Sequence, residues 1–506
     1  MRRAVKRQLE EILNTILEAH AEIKKNIISG AYGNVRNILA DCQDCAVIIG
    51  NTIEETEKNQ EAVIAKLEQY CEKLFFVHQE LETIELSRVE EVKTELDAQI
   101  QEIWSDVKNN IPVKLKVVFM PYKASMWTSL ESIWKAAEAD PDCEAKVVVI
   151  PYAILTSQQQ LDHIEYEANK FPEYVSITHY NNYDIAKECP DMIFIHNPYD
   201  GGNNVTRVPE KYYSYNLKKY TEQLIYSPYG LMGYYNPEKG AFMCLTNAVV
   251  FSDKVLVQSE KVKQIYMNHG VSIEKLLAIG SPKVDAIVEG MQKPIVYPDG
   301  WEEKLKGRKV FLINTHLSYF VKGYLWKQKA EKNIDYTKWY HNYFFDSILN
   351  RDDCALIWRP HPLMKDMLKS RNMTGSLEFV EQLENRIAKS NNAVLDTNGE
   401  YDISFNISDA LITTYSSIIP EYMILGKPIF IFQNRYDKNN TIKSPVSYKN
   451  NYYISMGKGE PTFPKFLEMV LAGKDELYEE RMKDVRDAFR NLDGTIGEKI
   501  YQYFRE

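Results

Sequence analysis

The sequence predicts an α/β protein in which two doubly wound parallel sheets follow an all-α helical N-terminal module. Three observations carry this reading. Apolar residues recur at helical spacing through the first 110 positions. At Pro112 the rhythm breaks into short apolar runs alternating with helical stretches. That alternation restarts after a linker, KPIVYPDG, near residue 300. The expected boundaries are 1–111 for the helical bundle or coiled-coil module, 112–298 for a first Rossmann-like domain and 299–506 for a second, facing the first across a cleft.

Within the module, Val5, Leu9, Ile12, Leu13, Ile16, Ile23 and Ile27 mark one helix that ends near Ser29-Gly30. Val35, Ile38, Leu39, Cys42, Ala46 and Ile49 mark a second, expected to stop at Gly50. Thr52 and Glu55 read as a capping box opening a third, through Val63, Leu67, Cys71, Leu74 and Leu81. Val92, Leu96, Ile100, Ile103 and Val107 mark the fourth. Nothing in these stripes carries chemistry. They read as a packing element or as a surface for homo-oligomer formation.

The α/β part begins with the strand VKLKVVFM and continues through VVVIPY, a helix, MIFIHNPYD, a helix, LIYSPYG, VLVQSEKV and LLAIGSPKVD. After the linker come KVFLINTH, ALIWRPHP, NAVLD, DALITTY and PIFIF.

A net charge of −10 argues against a broad nucleic-acid surface. Seven cysteines without regular spacing suit a reducing, cytosolic compartment, and the lone Cys42-x-x-Cys45 reads as buried thiols. The basic start MRRAVKR is followed by acidic residues, so no export signal is expected. No apolar run reaches the ~18 residues of a membrane span. Arg2, Arg3, Lys6 and Arg7 fit either plain solvation or peripheral contact with an anionic membrane surface. Neither paired carboxylates nor a His/Asp cluster at ligand spacing is evident, so no metal and no cofactor is expected.

Ligands of open parallel sheets gather at the carboxyl ends of the strands. In the second domain that rule selects Asn314-Thr315-His316, Arg359-Pro-His361-Pro and Thr413 to Ser417; in the first it selects Tyr122 to Trp127, His196 to Asp200, Tyr226 to Gly230 and Gly280 to Asp285. Two prolines around His361 remove amide donors, leaving Arg359 and His361 to meet a phosphate oxyanion as guanidinium and imidazolium. The stretch TTYSSIIPE reads as a strand turning into a helix at Ser416-Ser417, where free amides bind an anion as readily as the serines cap the helix. Glu421, about one turn in, is placed to meet a ribose hydroxyl pair.

The order VLVQSEKV, GSPKVD, IWRPHP and ISDALITTYSSIIPEYMILGKPIFIF resembles the CDP-glycerol glycerophosphotransferase family of teichoic-acid polymerases and their capsule-associated relatives. The likeness covers roughly residues 225 to 435 and is strongest from Arg359 to Phe432. It implies a GT-B type fold, with the acceptor in the first domain and the nucleotide donor in the second. It makes His361 a donor-phosphate ligand, puts Ser416 and Ser417 on the pyrophosphate, and sets Glu421 near the donor ribose. Lys283 and Asp285 fall in a Gly-x-Pro-Arg-Asn-Asp pattern, with Lys and Val replacing Arg and Asn. Thr414 stands where the family has Asp, and Tyr229 where it has the His of a Trp-His-Gly on the acceptor side. A phenol with a pKa near ~10 is a poor base at neutral pH. His196 and His316 are therefore the substitutes to examine, each equally readable as structural.

The resemblance implies a cytoplasmic transferase of cell-wall or capsule synthesis, at the inner face of the membrane if it is membrane-associated. It would move a phosphopolyol from CDP-glycerol or a similar donor to a polyol-phosphate or glycan acceptor. Two other readings keep the fold: a glycosyltransferase using a nucleotide sugar, and a catalytically silent scaffold.

Overall fold

The computed structural model describes residues 1–506 apart from 58–59, 157, 234, 236–239, 321–329, 362–363, 399–401, 415, 433–444, 447–450 and 454–462. Pro362 of the Arg-Pro-His-Pro motif and Tyr415 lie outside the described residues. Contacts divide the chain into two compact units. One holds Met1–Val117, Glu138–Lys146 and Cys189–Met192, and the other holds the remainder.

The first unit is built on four helices, α1 (Arg3–Ile28), α2 (Tyr32–Thr56), α3 (Glu61–Glu80) and α4 (Leu86–Asn110). Their apolar stripes close on one core that includes Leu13, Ile16, Leu39, Ile49, Leu67, Leu74, Leu96 and Ile100. Two sequence expectations fail here. Helix α2 runs through Gly50 to Thr56, because the stripe continues from Ile49 to the buried Ile53. Thr52 is therefore no cap: its hydroxyl donates to the Ile48 carbonyl one turn back at 2.7 Å, and α3 opens only at Glu61. In the core, His20 joins Asp97 at 2.8 Å and Tyr70 at 2.7 Å. Cys42 hydrogen-bonds Tyr70, and burial raises its thiol to about 11. The short segments 138–146 and 189–192 belong to this unit through bonds such as Lys116 N–H to Asp191 at 2.8 Å and Leu115 N–H to the Asp142 carbonyl at 2.9 Å.

The α/β region contains two large sheets. The first uses β1 (Leu115–Met120), β2 (Cys143–Val149), β5 (Ile177–His179), β6 (Met192–Ile195), β8 (Gln223–Tyr226), β9 (Lys254–Leu256) and β10 (Leu276–Leu277), in the order β10-β9-β8-β6-β1-β2-β5. Between them, β3 (Tyr152–Leu155), β4 (Leu161–Glu165) and β7 (Thr206–Arg207) form a small antiparallel sheet. The sequence reading placed a helix between VVVIPY and MIFIH. The chain instead turns back after Leu155, with Gln159 at φ 64° closing the turn. The helix found before β6 is only Ile185–Glu188.

The second sheet is parallel throughout: β11 (Lys309–Asn314), β12 (Cys354–Trp358), β13 (Ala393–Leu395), β14 (Ala410–Thr413), β15 (Ile429–Ile431) and β16 (Tyr452–Tyr453), in the order β13-β12-β11-β14-β15-β16. Its central strands are buried on both faces and read as continuous apolar runs.

The chain then returns to the first lobe, which a single boundary at 298 does not describe. Helix Tyr478–Ala488 touches both lobes: Arg481 donates to the Gly426 carbonyl at 3.0 Å, while the Ala488 carbonyl accepts from Gln258 at 3.3 Å. The last helix, Ile496–Arg505, is capped by Asp285, whose carboxylate accepts from the amides of Ile496 at 3.0 Å and Gly497 at 2.7 Å. Gly497 lies so close to Ser132 that a Cβ would sit 2.3 Å from its backbone carbon. Asp285, expected near the donor, thus does a packing job.

Candidate active site

In-register pairing sets the carboxyl ends of β11, β12 and β14 side by side, with Asn314 opposite Thr413 and Ile313 opposite Trp358. Asn314 ties the three ends together. Its amide donates to the Arg359 carbonyl at 2.9 Å, its carbonyl accepts from Thr413 Oγ1 at 2.5 Å, and its Oδ1 lies 3.5 Å from Ser416 Oγ.

Thr414 holds the neighbouring loop, its Oγ1 accepting from the His316 backbone N–H at 3.0 Å. On the other side Thr315 is fixed by His341, a residue sequence reading passed over. His341 Nδ1 donates to the Thr337 carbonyl at 2.7 Å, which leaves Nε2 to accept from Thr315 Oγ1 at 2.8 Å. Full burial pulls His341 down to about 4, so it stays neutral in that tautomer. His316 is held from both flanks.

His316 and His361 come together at this edge. Burial lowers both pKa values, and His361 is lowered further by charge on His316. The pair is therefore neutral near pH 7 when no anion is bound, which departs from the expected imidazolium. A phosphate arriving between them would favour the charged form.

Arg359 has a different job from the expected one. Its guanidinium is buried, pairs with the buried Asp396 at 2.6 Å and donates to the Asn398 carbonyl at 2.9 Å. Register explains this: Trp358 pairs with Leu395, so the residues after β12 and β13 emerge as neighbours. Asp396 also accepts from Ser404 and from the Asn398 amide. The charge of Arg359 is balanced within the protein and stiffens the loop beside His361.

The helix after β14 starts later than the serines suggested. It spans Ile419–Ile424 with Ile418 at the N-cap, and the Ile419 amide donates to the Ser416 carbonyl at 3.3 Å. Ser416 is half-buried and Ser417 exposed, in a turn ahead of the helix. Gly426, at φ 72°, ends it, and Lys427 caps the carbonyls of Phe405, Asn406 and Ser408 at 2.6–2.9 Å.

Glu421 and Lys283, both expected on the donor, meet each other at 2.8 Å with side chains 6% and 13% exposed. Lys283 also reaches the Tyr229 carbonyl at 3.4 Å. The pair joins the second lobe to the first. Among the described residues Glu421 Oε2 has no hydrogen-bond partner, and burial raises the Glu421 pKa against the pull of Lys283.

Across the cleft, His196 is not available as a base. It is fully buried; Nε2 accepts from the Tyr122 amide at 3.2 Å, and Nδ1 faces the Met126 carbonyl at 3.3 Å and Ser129 Oγ at 3.2 Å. Burial takes its pKa to about 3. Tyr229, at the family's His position, is pushed up to about 12 by burial and by Tyr199.

Among the described residues the α/β region holds two cavities. One of about 190 Å³ lies at the ends of β8 and β9 and includes Tyr229. The other, about 550 Å³, runs under the linker from Trp127 and Lys135 to Asn398 and Asp402, within the size range of ligand sites. Among the described residues no group of three His, Cys, Asp or Glu could hold a metal ion, and no helix is long and apolar enough to cross a membrane.

Comparison with known proteins gives one family and three relatives. The family model described as CDP-Glycerol:Poly(glycerophosphate) glycerophosphotransferase matches residues 232–504. A teichoic acid poly(ribitol-phosphate) polymerase of Bacillus spizizenii is 24% identical over 254 residues, 49% of this chain and 36% of that protein, so the chain spans about a third of that relative's length. Among solved structures, the wall teichoic acid polymerase TagF aligns at TM-score 0.46 and 15% identity, covering 88% of this chain and 97% of that one. A putative UDP-N-acetylglucosamine 2-epimerase from Listeria monocytogenes aligns at TM-score 0.48 and 14% identity, covering 78% and 96%.

Proposed function

Because the chain belongs to the CDP-glycerol:poly(glycerophosphate) glycerophosphotransferase family, we propose that it moves a phosphopolyol, glycerol phosphate or a close relative, from a CDP-activated donor to a hydroxyl acceptor in the synthesis of a teichoic-acid-type or capsule polymer. The observation that carries this reading is the convergence of His316 and His361 where β11 and β12 end. In the reaction the acceptor oxygen bonds to the donor's β-phosphorus, the bond to CMP breaks, and CMP leaves with the electron pair. His361 meets the phosphoryl oxygens, and His316, neutral at pH 7, takes the acceptor proton. Ser416 and Ser417 line the donor side as hydroxyl and amide donors for the pyrophosphate.

Arg359 acts through position, holding the loop beside His361. The charge is met by protein groups, and the reading calls for no cofactor. This reading puts the protein in the cytoplasm, with peripheral contact at the inner face of the membrane.

The test is product analysis with CDP-glycerol, CDP-ribitol and UDP- or GDP-sugars. Release of CMP supports phosphopolyol transfer. Release of CDP or UDP replaces it with glycosyl transfer, and no release from any donor leaves a silent scaffold.

A further inference from the structure

The four-helix unit has a lopsided distribution of charge that its own packing does not require. The cations of α2 and α3 are drawn away from the groove between these two helices. Lys66 meets Glu102 at 2.7 Å and Asp106 at 2.6 Å, and Lys73 meets Glu95, all three acids on α4. Arg36, the one basic residue of α2, meets Glu82 at 2.7 Å, beyond the end of α3. The groove is left with carboxylates. Asp44 and Glu54 on α2 and Glu61, Glu68 and Glu72 on α3 are exposed, and among the described residues none has an ion-pair or hydrogen-bond partner.

Apolar side chains stand among these acids. Gln43 of α2 donates to the Cys71 carbonyl of α3 at 3.0 Å, and Gly50 faces Leu67, so the two helices run antiparallel in a fixed register. Val47 and Phe75 each lie one turn beyond the Gln43–Cys71 contact, on the flank that faces the other helix, and each is 52% exposed. Four residues in opposite directions put them about 12 Å apart along the groove. Asp44, Glu68 and Glu72 fall at the levels in between. Ile48 and Phe76, next in the chain, are exposed as well.

Large apolar side chains grouped on a surface mark an interaction site, and the charge selects the partner. An anionic membrane or a nucleic acid would be repelled. A second copy of the same face would set like charges against each other. A helix with basic flanks meets every term. Its apolar residues two turns apart span roughly 11–12 Å, the spacing of Val47 and Phe75, and its cations meet the carboxylates between them.

We propose that the groove between α2 and α3 docks a basic amphipathic helix of another protein, with Val47 and Phe75 as its apolar contacts and Asp44, Glu68 and Glu72 as its charge partners.

The probe is a fluorescein-labelled peptide of about 18 Leu and Lys residues patterned as an amphipathic helix, with a Leu/Glu peptide of the same pattern beside it. Fluorescence anisotropy on the full chain at near-physiological salt should show saturable binding of the Leu/Lys peptide and none of the Leu/Glu peptide. Val47→Ser with Phe75→Ser should weaken binding roughly tenfold, and so should Glu68→Lys with Glu72→Lys. Glu11→Lys with Glu18→Lys makes the same change of net charge on α1 and should leave binding within about twofold. All six positions are exposed, so each variant should keep the wild-type circular dichroism and melting temperature. Absence of saturable binding overturns the proposal, as does equal weakening by the α1 variant, which would reduce the effect to net charge. Sedimentation of the free chain as a dimer that Val47→Ser with Phe75→Ser breaks would make the face a self-association surface. Binding to phosphatidylglycerol vesicles that the same variant abolishes would make it a membrane contact. Either result overturns the proposal.

Discussion

The two lobes of the α/β region solve opposite problems at their strand ends. The second brings two half-buried imidazoles together and braces them with Asn314, Thr315–His341 and the Arg359–Asp396 pair. The first gathers phenols and hydroxyls and locks His196 inside; no charged side chain lines its cavity among the described residues, although Lys283 reaches the carbonyl of one lining residue, Tyr229. On the proposed reading, proton transfer and anion binding fall to the second lobe. The Lys283–Glu421 pair is a polar seam between the two lobes.

The comparison breaks most visibly at His361. His361→Ala should lower kcat by about 10²–10⁴, the range for a lost acid–base or phosphate-binding group, read as CMP release. A variant with full activity would move the chemistry elsewhere. The acid limb of the wild-type pH–rate profile should fall below pH 6.5, because both histidines are depressed and activity that needs the neutral form is lost as pH falls through the lowered value.

Lys283→Met should cost about 3–5 kcal/mol by leaving a buried carboxylate uncompensated, measured by urea unfolding at pH 7. The Glu421 pKa is already raised, so protonation relieves that penalty. The deficit against wild type should shrink as pH falls through Glu421's value, and Glu421→Gln in the same chain should restore much of it. A deficit insensitive to both would make the seam a packing contact only.

Acid should weaken both lobes alike. His196 at about 3 and His341 at about 4 are neutral in the fold, whereas the unfolded chain protonates them near ~6.5. The unfolded state then binds more protons, so stability is full above that value and falls as pH drops, by up to about 1.4 kcal/mol per pH unit for each histidine. Denaturation midpoints between pH 7 and 5 test this, and His341→Gln should flatten the slope.

The smallest effect belongs to Tyr229→Phe, which removes a hydrogen bond to Tyr199 worth about 1 kcal/mol. The pH–rate profile should keep its shape. Loss of activity here would bring proton transfer back to the first lobe.

Much of this was legible before any coordinates. β11, β12 and β14 are apolar runs ended by polar residues, and the strand-end rule led to His316 and His361 directly. Pattern failed where a partner decides the role. Nothing local to Arg359 announces Asp396; only the register of β12 on β13 does. Lys283 and Glu421 lie far apart in sequence, so each was read as facing a ligand when they face each other. The same holds for Asp285, whose partners are amides 211 and 212 residues away. The hairpin of β3 and β4 was missed because its strands are short and half-exposed, which leaves little apolar signal.

That Asp285 cap also sets a schedule. During synthesis the first lobe emerges before the second, yet it cannot finish until Ile496 and Gly497 arrive to seat on Asp285 and Ser132. At roughly 5–20 residues per second the wait lasts on the order of 10–40 s. For that interval the nascent first lobe has an open face, while the second lobe, made later, can close around its own strands. The lobe begun first is completed last, and a chaperone would find its client there.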